Sequence, residues 1–125
     1  MRTLLILIGL YQGANGLFML AAPALWYVTI PGVTATGPAN PHFIRDIGLA
    51  FIAAAAGLII GALKRDRWML IVASIFLGGH ALLHLAEMQH GTTFADALRD
   101  IALIVLPGLL PLAAIPAFDP QKRTA

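Results

Sequence analysis

Residues 68–88 read WMLIVASIFLGGHALLHLAEM, an apolar stretch that carries three ionisable side chains, His80, His84 and Glu87. A transmembrane helix needs about 20 predominantly apolar residues, and this stretch is long enough to be one. The spacing i, i+4, i+7 places the three side chains on one face of a helix. Because ionisable groups are costly in hydrocarbon, we expect this face to turn inward, toward polar partners.

Three further stretches have the same apolar character and leave little of the 125-residue chain over. The predicted spans are residues 3–23, 42–63, 68–88 and 94–118. The chain is 59% hydrophobic and only 11% charged, which is far more apolar than a soluble domain of this size. The sequence therefore predicts one all-α domain, a four-helix transmembrane bundle in the lipid bilayer with no soluble domain.

The basic residues indicate how the bundle is oriented. Six of the eight fall on one side of the predicted spans: Arg2, Lys64, Arg65, Arg67, Lys122 and Arg123. The positive-inside rule makes that side cytoplasmic, with both termini inside and the loops 29–41 and 89–93 outside. Read this way, the basic residues are topology signals, and no nucleic-acid partner is expected. The absence of cysteine excludes thiol redox chemistry and thiolate metal ligands.

Several residues mark where the helices begin and end. Asn40 is expected to cap the second span, with Pro41 at its first helical position. The sequence Thr93-Phe-Ala-Asp96 resembles a capping box at the start of the fourth span. Gly91 is expected to end the third span in a left-handed cap. Three prolines are expected to kink the cytoplasmic half of the fourth span: Pro107, Pro111 and Pro116.

Small and aromatic residues predict how the first span packs. The pair Gly9 and Gly13 forms a small-xxx-small pattern that allows close helix approach. Pro23 is expected to mark the outer boundary of the span. Trp26 and Tyr27, which follow it, fit an aromatic belt at the outer interface.

A short internal repeat links the second and fourth spans. Residues 43–49 (FIRDIGL) and 97–103 (ALRDIAL) share the pattern Arg-Asp-Ile-small-Leu. One interpretation is a pair of tandem helical hairpins related by an axis along the membrane normal, and the other is chance. The first interpretation would make Asp46 equivalent to Asp100, and Asn15 equivalent to His80.

Polar residues from all four spans are predicted to share one layer. At a helical rise of about 1.5 Å per residue, they lie at similar depths in the outer half of the membrane. These residues are Asn15, Asp46, His80, His84 and Asp100. The inner half carries almost nothing polar, with Ser74 the main exception. The sequence therefore predicts a polar chamber that opens to the outside.

Two Arg-Asp pairs raise a question of partners. Arg45 and Asp46 point about 100° apart on their helix, so each is expected to need a different partner. The same expectation holds for Arg99 and Asp100. Cross-pairing of Arg45 with Asp100 or Glu87, and of Arg99 with Asp46, satisfies this geometry.

The leading hypothesis for the chamber is a transition-metal site. His80 and His84 at i, i+4 can bind one ion, and Asp46, Asp100 or Glu87 could complete the ligand set. Imidazole and carboxylate ligands suit Zn, Cu or Fe. Such a site would support redox or metal-dependent chemistry on a small or lipid-soluble substrate.

Other hypotheses remain open beside the metal site. The same residues could form an ion-pair network that only holds the helices together, or a proton relay for proton-coupled transport, or a pocket for a quinone. In each case Gln12, Asn15, Arg45 and Arg99 would support the site or bind the substrate. Haem is less expected, because His80 and His84 share one helix. A different class of function is a non-enzymatic accessory subunit, in a homo-oligomer or a larger membrane complex.

The overall layout resembles a known group of proteins. Four short spans, the motif Arg45-Asp46-Ile47-Gly48 at the start of the second, and Gly/Ala-rich packing resemble the DoxX-like small four-helix membrane proteins of bacteria. The resemblance covers the whole chain in layout. It implies a location in the bacterial inner membrane and, as in some members, a link to quinone-linked redox or to maturation of periplasmic enzymes. No catalytic set of that group maps onto this chain residue by residue.

Overall fold

A computed structural model describes residues 1–88 and 92–118 of the chain. The described residues form helices joined by short connections, and no strand is found among them. The α-helices, numbered in chain order, are α1 (Arg2–Ala21), α2 (Pro23–Thr29), α3 (Pro41–Lys64), α4 (Arg67–Glu87), α5 (Phe94–Asp100) and α6 (Leu106–Ala114). A π-helical segment, Ile101–Val105, joins α5 to α6, and 3-10 turns cover Val33–Thr36 and Ile115–Phe118.

Four helical segments are long and apolar enough to cross a membrane. They are Arg2–Ala21, Pro41–Lys64, Arg67–Glu87 and Phe94–Phe118. Large apolar side chains such as Leu7, Val72 and Ile75 are exposed on their outer surfaces, at 57%, 66% and 70% respectively. Surface of this kind is stable against lipid chains and unstable against water. The protein is thus an integral membrane protein, and the predicted all-α four-helix bundle is confirmed.

Local sequence determines where these helices begin. The Asn40 Oδ1 atom accepts a hydrogen bond of 3.1 Å from the Phe43 N–H, as the predicted cap requires. The Thr93 hydroxyl accepts one of 3.2 Å from the Asp96 N–H. Asp66, which sequence analysis left unassigned, caps α4 through the Trp68 N–H at 2.9 Å. The cap predicted at Gly91 lies outside the described residues.

The four spans pack in chain order, α1 on α3, α3 on α4, and α4 on the fourth span. The contact between α1 and α3 is closest where Gly16 meets Gly48. A Cβ built on Gly16 would lie 2.6 Å from the Gly48 carbonyl oxygen, and one on Gly48 would lie 2.9 Å from the Gly16 oxygen. Only a residue without a side chain permits this approach. The predicted close approach at Gly9 is also present, since its Cβ would lie 2.7 Å from Ile59.

The fourth span is irregular, as its prolines predict, and it consists of four consecutive segments. The π-helical segment ends just before α6, which has Pro107 at its first turn and Pro111 in its interior. Pro116 lies in the final 3-10 turn. Proline lacks an N–H, so the carbonyl four residues before it loses its normal helical donor. The irregularity therefore begins further toward the start of the span than the positions of the prolines alone indicate.

The two ends of the bundle differ in character. One end, the loop end, carries α2 and the connection 30–40. The other, the basic end, carries Arg2 and the turn from Lys64 to Arg67 between α3 and α4. Ser74, buried toward the basic end, donates its hydroxyl to the Leu70 carbonyl at 2.7 Å and so is satisfied within its own helix. Lys122 and Arg123 lie outside the described residues.

Candidate functional site

A cavity of about 900 Å³ occupies the loop end of the bundle, where the sequence predicts a polar chamber. Residues from all four spans line it, together with α2 and the connection 30–40. One wall is apolar and is formed by Ile44, Ile47 and Phe51 of α3. Their spacing of i, i+3, i+7 places them on one helical face. The polar part of the lining comes mainly from α4 and α5.

The α4 face that the sequence singles out contributes to this polar part of the lining. His80, His84 and Glu87 all line the cavity. The His80 and His84 ring centroids are 4.8 Å apart, with the rings close to perpendicular. The predicted inward face of the third span is therefore the one that the structure turns toward the cavity.

His84 forms the polar contact between the third and fourth spans. Its Nδ1 atom lies 3.4 Å from the Asp100 Oδ2 atom, and the two side chains are 26% and 18% exposed. A carboxylate beside one ring nitrogen holds the imidazole in place and leaves the other nitrogen, Nε2, available to the cavity. The structure thus brings together two residues that the sequence placed at similar depth on separate spans.

Arg99 pairs with carboxylates of its own helix, which corrects the expectation of partners on other spans. Its Nε and Nη2 atoms donate to the Asp100 Oδ1 atom at 3.1 and 3.0 Å, and its Nη1 atom donates to the Asp96 Oδ1 atom at 2.7 Å. Asp96 also accepts from the Thr93 hydroxyl at 2.6 Å. The 100° between neighbours does not separate Arg99 from Asp100, because the arginine side chain is long enough to fold back along the helix.

Asp46 and Arg45 do not belong to this site. The Asp46 Oδ2 atom lies 3.5 Å from His42 Nε2, on side chains that are 56% and 89% exposed, and Arg45 Nε donates to the Leu20 carbonyl at 3.4 Å. The cross-pairings predicted for Arg45, and for Arg99 with Asp46, are therefore wrong. The physical reason is the rotation of α3, which turns Ile44 and Ile47 inward and residues 45 and 46 away. Asp46 and Asp100 occupy unlike environments despite the repeat.

His80 packs against aromatic rings. Its ring packs edge-on against Phe51 at 5.3 Å and stacks on Phe76 at 6.2 Å. No hydrogen bond joins its ring to another of the described residues. It also lines a shallow apolar groove between α3 and α4, so it separates this groove from the cavity. The expected pairing of His80 with Asp46 or Asp100 is not found.

Asn15 and Gln12 lie one turn apart on α1 and both line the cavity, but they differ in hydrogen bonding. The Asn15 Oδ1 atom accepts a hydrogen bond of 2.9 Å from the Trp26 indole N–H. Gln12 is only 5% exposed, yet within residues 1–88 and 92–118 its amide has no hydrogen-bond partner. That amide remains accessible from the cavity. Asn15 thus connects α1 to α2, whereas Gln12 presents an unused donor and acceptor to the cavity.

Three aromatic residues of the cavity were not expected from the sequence. Trp26 and Tyr27, which fit an aromatic belt, line the cavity, and the Tyr27 hydroxyl donates to the Gly37 carbonyl at 2.6 Å and so holds the connection 30–40 in place. Tyr11, the third, donates to the Leu103 carbonyl at 3.0 Å. The sequence feature that could have indicated the position of Trp26 and Tyr27 is Pro23, which ends α1 and lets α2 turn toward the cavity.

The donor set does not fit the predicted metal site. Among residues 1–88 and 92–118, no three His, Asp or Glu side chains are grouped closely enough to hold a metal ion. His84 and Asp100 are adjacent, Asp46 is elsewhere, and His80 lies among aromatic rings. His90, which the sequence places near the outer interface, lies outside the described residues.

Comparison of this chain with protein-family models, with curated proteins and with solved structures finds no match. The resemblance to the DoxX-like group stays a prediction.

Proposed function

We propose that this membrane protein binds a lipid-soluble amphipathic small molecule in the cavity at its loop end. The observation that carries the proposal is that the lining of this cavity combines an apolar wall on α3 with a polar part mainly from α4 and α5. A volume of about 900 Å³ is large enough for a drug-sized molecule. The polar head would meet His84 and Gln12, and the apolar part would lie against Ile47 and Phe51.

A quinone is the neutral member of this class that we would test first. Its carbonyl oxygens need hydrogen-bond donors, and the Gln12 amide and the His84 Nε2 atom are groups of the cavity that can donate. The resemblance to the DoxX-like group supports the same choice, because some of its members are linked to quinone redox. A metal ion is not part of the proposal, since the described donor set does not fit one.

The two tryptophans of the chain provide the test. Trp26 lines the cavity, whereas Trp68 lies at the basic end and is 64% exposed. Decylubiquinone, whose ring quenches indole fluorescence, would be titrated into the protein in neutral detergent. We expect saturable quenching in Trp68→Phe, which keeps Trp26, and none beyond micelle partitioning in Trp26→Phe. Equal, non-saturable quenching of both variants would contradict the proposal.

We further propose that the loop end faces the outside of a bacterial inner membrane, with both termini cytoplasmic. The basic residues at the opposite end support this orientation. The chain has no cysteine, so a single Ala35→Cys substitution in the connection 30–40 gives a clean reporter. A membrane-impermeant maleimide should label it in intact cells without permeabilisation. Labelling only after permeabilisation would show that the loop end faces the cytoplasm and would contradict this orientation.

A further inference from the structure

The charged groups of the cavity are unequal in number. Among the residues that the structure describes, the lining includes three carboxylates, Glu87, Asp96 and Asp100, and one guanidinium, Arg99. No lysine contributes to this lining. With the histidines counted as neutral, the lining therefore carries a formal excess of negative charge.

The positive charge of the guanidinium in this lining is already offset by two carboxylates. Arg99 uses its Nε, Nη1 and Nη2 atoms on Asp96 and Asp100, at 2.7 to 3.1 Å. With two carboxylates on one guanidinium, this triplet carries a net negative charge, and an anion that approached Arg99 would also meet Asp96 and Asp100. The net charge of the site therefore disfavours anions.

The aromatic residues of the cavity offer ring surface and few free donors. The polar atoms of Trp26, Tyr27 and Tyr11 already donate to Asn15, Gly37 and Leu103, at 2.6 to 3.0 Å. Phe43 and Phe51 add two rings without polar atoms. Aromatic ring faces attract cations through their quadrupole, and this attraction is strongest where the cation is desolvated.

A second and independent observation indicates that the cavity is made for a ligand. Gln12 is only 5% exposed and lines the cavity, and its amide has no hydrogen-bond partner in the described part of the chain. The amide can present either its carbonyl oxygen or its N–H groups to a ligand, so it can accept from a cationic N–H group or donate to a carbonyl.

From these observations we propose that the ligand of the cavity is a lipophilic organic cation. The inference rests on the proposed function and narrows its ligand class. The cationic head would lie near Asp100 and Glu87 among the aromatic rings, and its apolar substituents would contact α3. A neutral quinone would bind more weakly than a cation of similar size, and an anion would be rejected.

The test uses two hydrophobic ions that match in size and differ in charge, tetraphenylphosphonium and tetraphenylborate. Binding of each to the purified protein in dodecyl maltoside is measured by isothermal titration calorimetry. We expect the cation to bind at least tenfold more tightly than the anion. Equal affinities, or tighter binding of the borate, would overturn the inference.

Charge substitutions locate the effect. Asp100→Asn and Glu87→Gln each remove one negative charge from the lining, and each should weaken tetraphenylphosphonium binding about threefold or more. Glu87 is exposed, so its variant remains informative where Asp100→Asn fails to fold. Asp46→Asn, which removes the same charge outside the cavity, is the matched control and should leave binding unchanged. An equal loss in the Asp46 variant would attribute the preference to net charge and would overturn the assignment to this site.

Failure of this inference can be told apart from failure of the proposed function. If decylubiquinone quenches Trp26 saturably while the phosphonium shows no preference over the borate, the cavity binds amphipathic molecules but does not select cations. If none of the three probes binds, both proposals are wrong.

Discussion

The Tyr11 hydroxyl donates to the Leu103 carbonyl across 92 residues of sequence, at 3.0 Å, and joins the first span to the fourth. In an unbroken α-helix that carbonyl would accept from the N–H of residue 107, which is a proline without one. Spans one and four otherwise share few contacts, because the spans pack in chain order. Tyr11 therefore donates to a carbonyl whose α-helical donor position is occupied by Pro107, and it connects the first span to the fourth.

Replacement of Tyr11 by Phe should remove this bond and lower the free energy of unfolding by about 1 kcal/mol. Pro107→Ala supplies the missing N–H, so the Tyr11→Phe substitution should cost less in that background. A double-mutant cycle, measured by unfolding in mixed micelles, gives the coupling between the two sites. Equal effects of Tyr11→Phe in both backgrounds would show that the proline is not what frees the carbonyl.

The two amides of α1 should respond differently to the same substitution. Gln12→Leu removes an amide that has no hydrogen-bond partner among the described residues, so it should not lower the free energy of unfolding but should weaken ligand binding. Asn15→Leu breaks the 2.9 Å hydrogen bond to Trp26 and should lower the free energy of unfolding by about 1 kcal/mol. Thermal unfolding in detergent and Trp26 quenching measure the two effects. A loss of stability in Gln12→Leu would mean that the amide has a partner in the protein.

The Gly16–Gly48 contact should tolerate no added methyl group. Gly16→Ala would place a Cβ 2.6 Å from the Gly48 carbonyl oxygen, so α1 and α3 must separate, at a cost of about 1–3 kcal/mol. Gly79→Ala is the matched control, since nothing lies within 4 Å of its Cβ position. The control should be neutral or slightly stabilising, because alanine favours the helix. Similar melting temperatures for the two variants would argue against this helix contact.

Arg99 should not be replaceable by lysine. Its planar fork connects two carboxylates through three nitrogen atoms, which one ammonium group cannot reproduce. Arg99→Lys should lower the free energy of unfolding by about 1–3 kcal/mol. Arg45 makes one exposed hydrogen bond of 3.4 Å, to the Leu20 carbonyl. Arg45→Lys should therefore change the free energy of unfolding by less than about 0.5 kcal/mol. Comparable losses in both variants would mean that positive charge alone matters at position 99.

Purified protein should contain no stoichiometric transition metal. The described residues bring His84 and Asp100 together but add no third ligand. Elemental analysis of the native protein and of the His80→Ala, His84→Ala double variant should give the same background values. If the native protein contained about one metal ion per chain and the double variant did not, the metal-site hypothesis would be supported again.

The sequence predicted the helices and their caps well because these depend on local chemistry. The apolar stretches, Asn40 before Pro41, and Thr93 before Asp96 act over a few residues each. It also predicted that His84 and Asp100 would lie at one depth, since depth follows from counting residues along a helix.

What the sequence could not provide is the rotation of each helix about its axis. The fit of Gly16 against Gly48 fixes how α3 faces α1, and this turns Asp46 away from the cavity. The fold of α2 over the cavity depends on the conformation of the single residue Ala22, so the aromatic residues of α2 could not be placed by periodicity. Arg99 folds back onto its own helix because its length allows several partners, among which spacing does not choose.

The ion triplet of Arg99, Asp96 and Asp100 is complete within two turns of one helix. The fourth span thus carries its guanidinium into the bilayer with the positive charge already offset, before any other span is in place. We therefore expect that this segment needs no carboxylate from another span to offset its arginine when it enters the membrane.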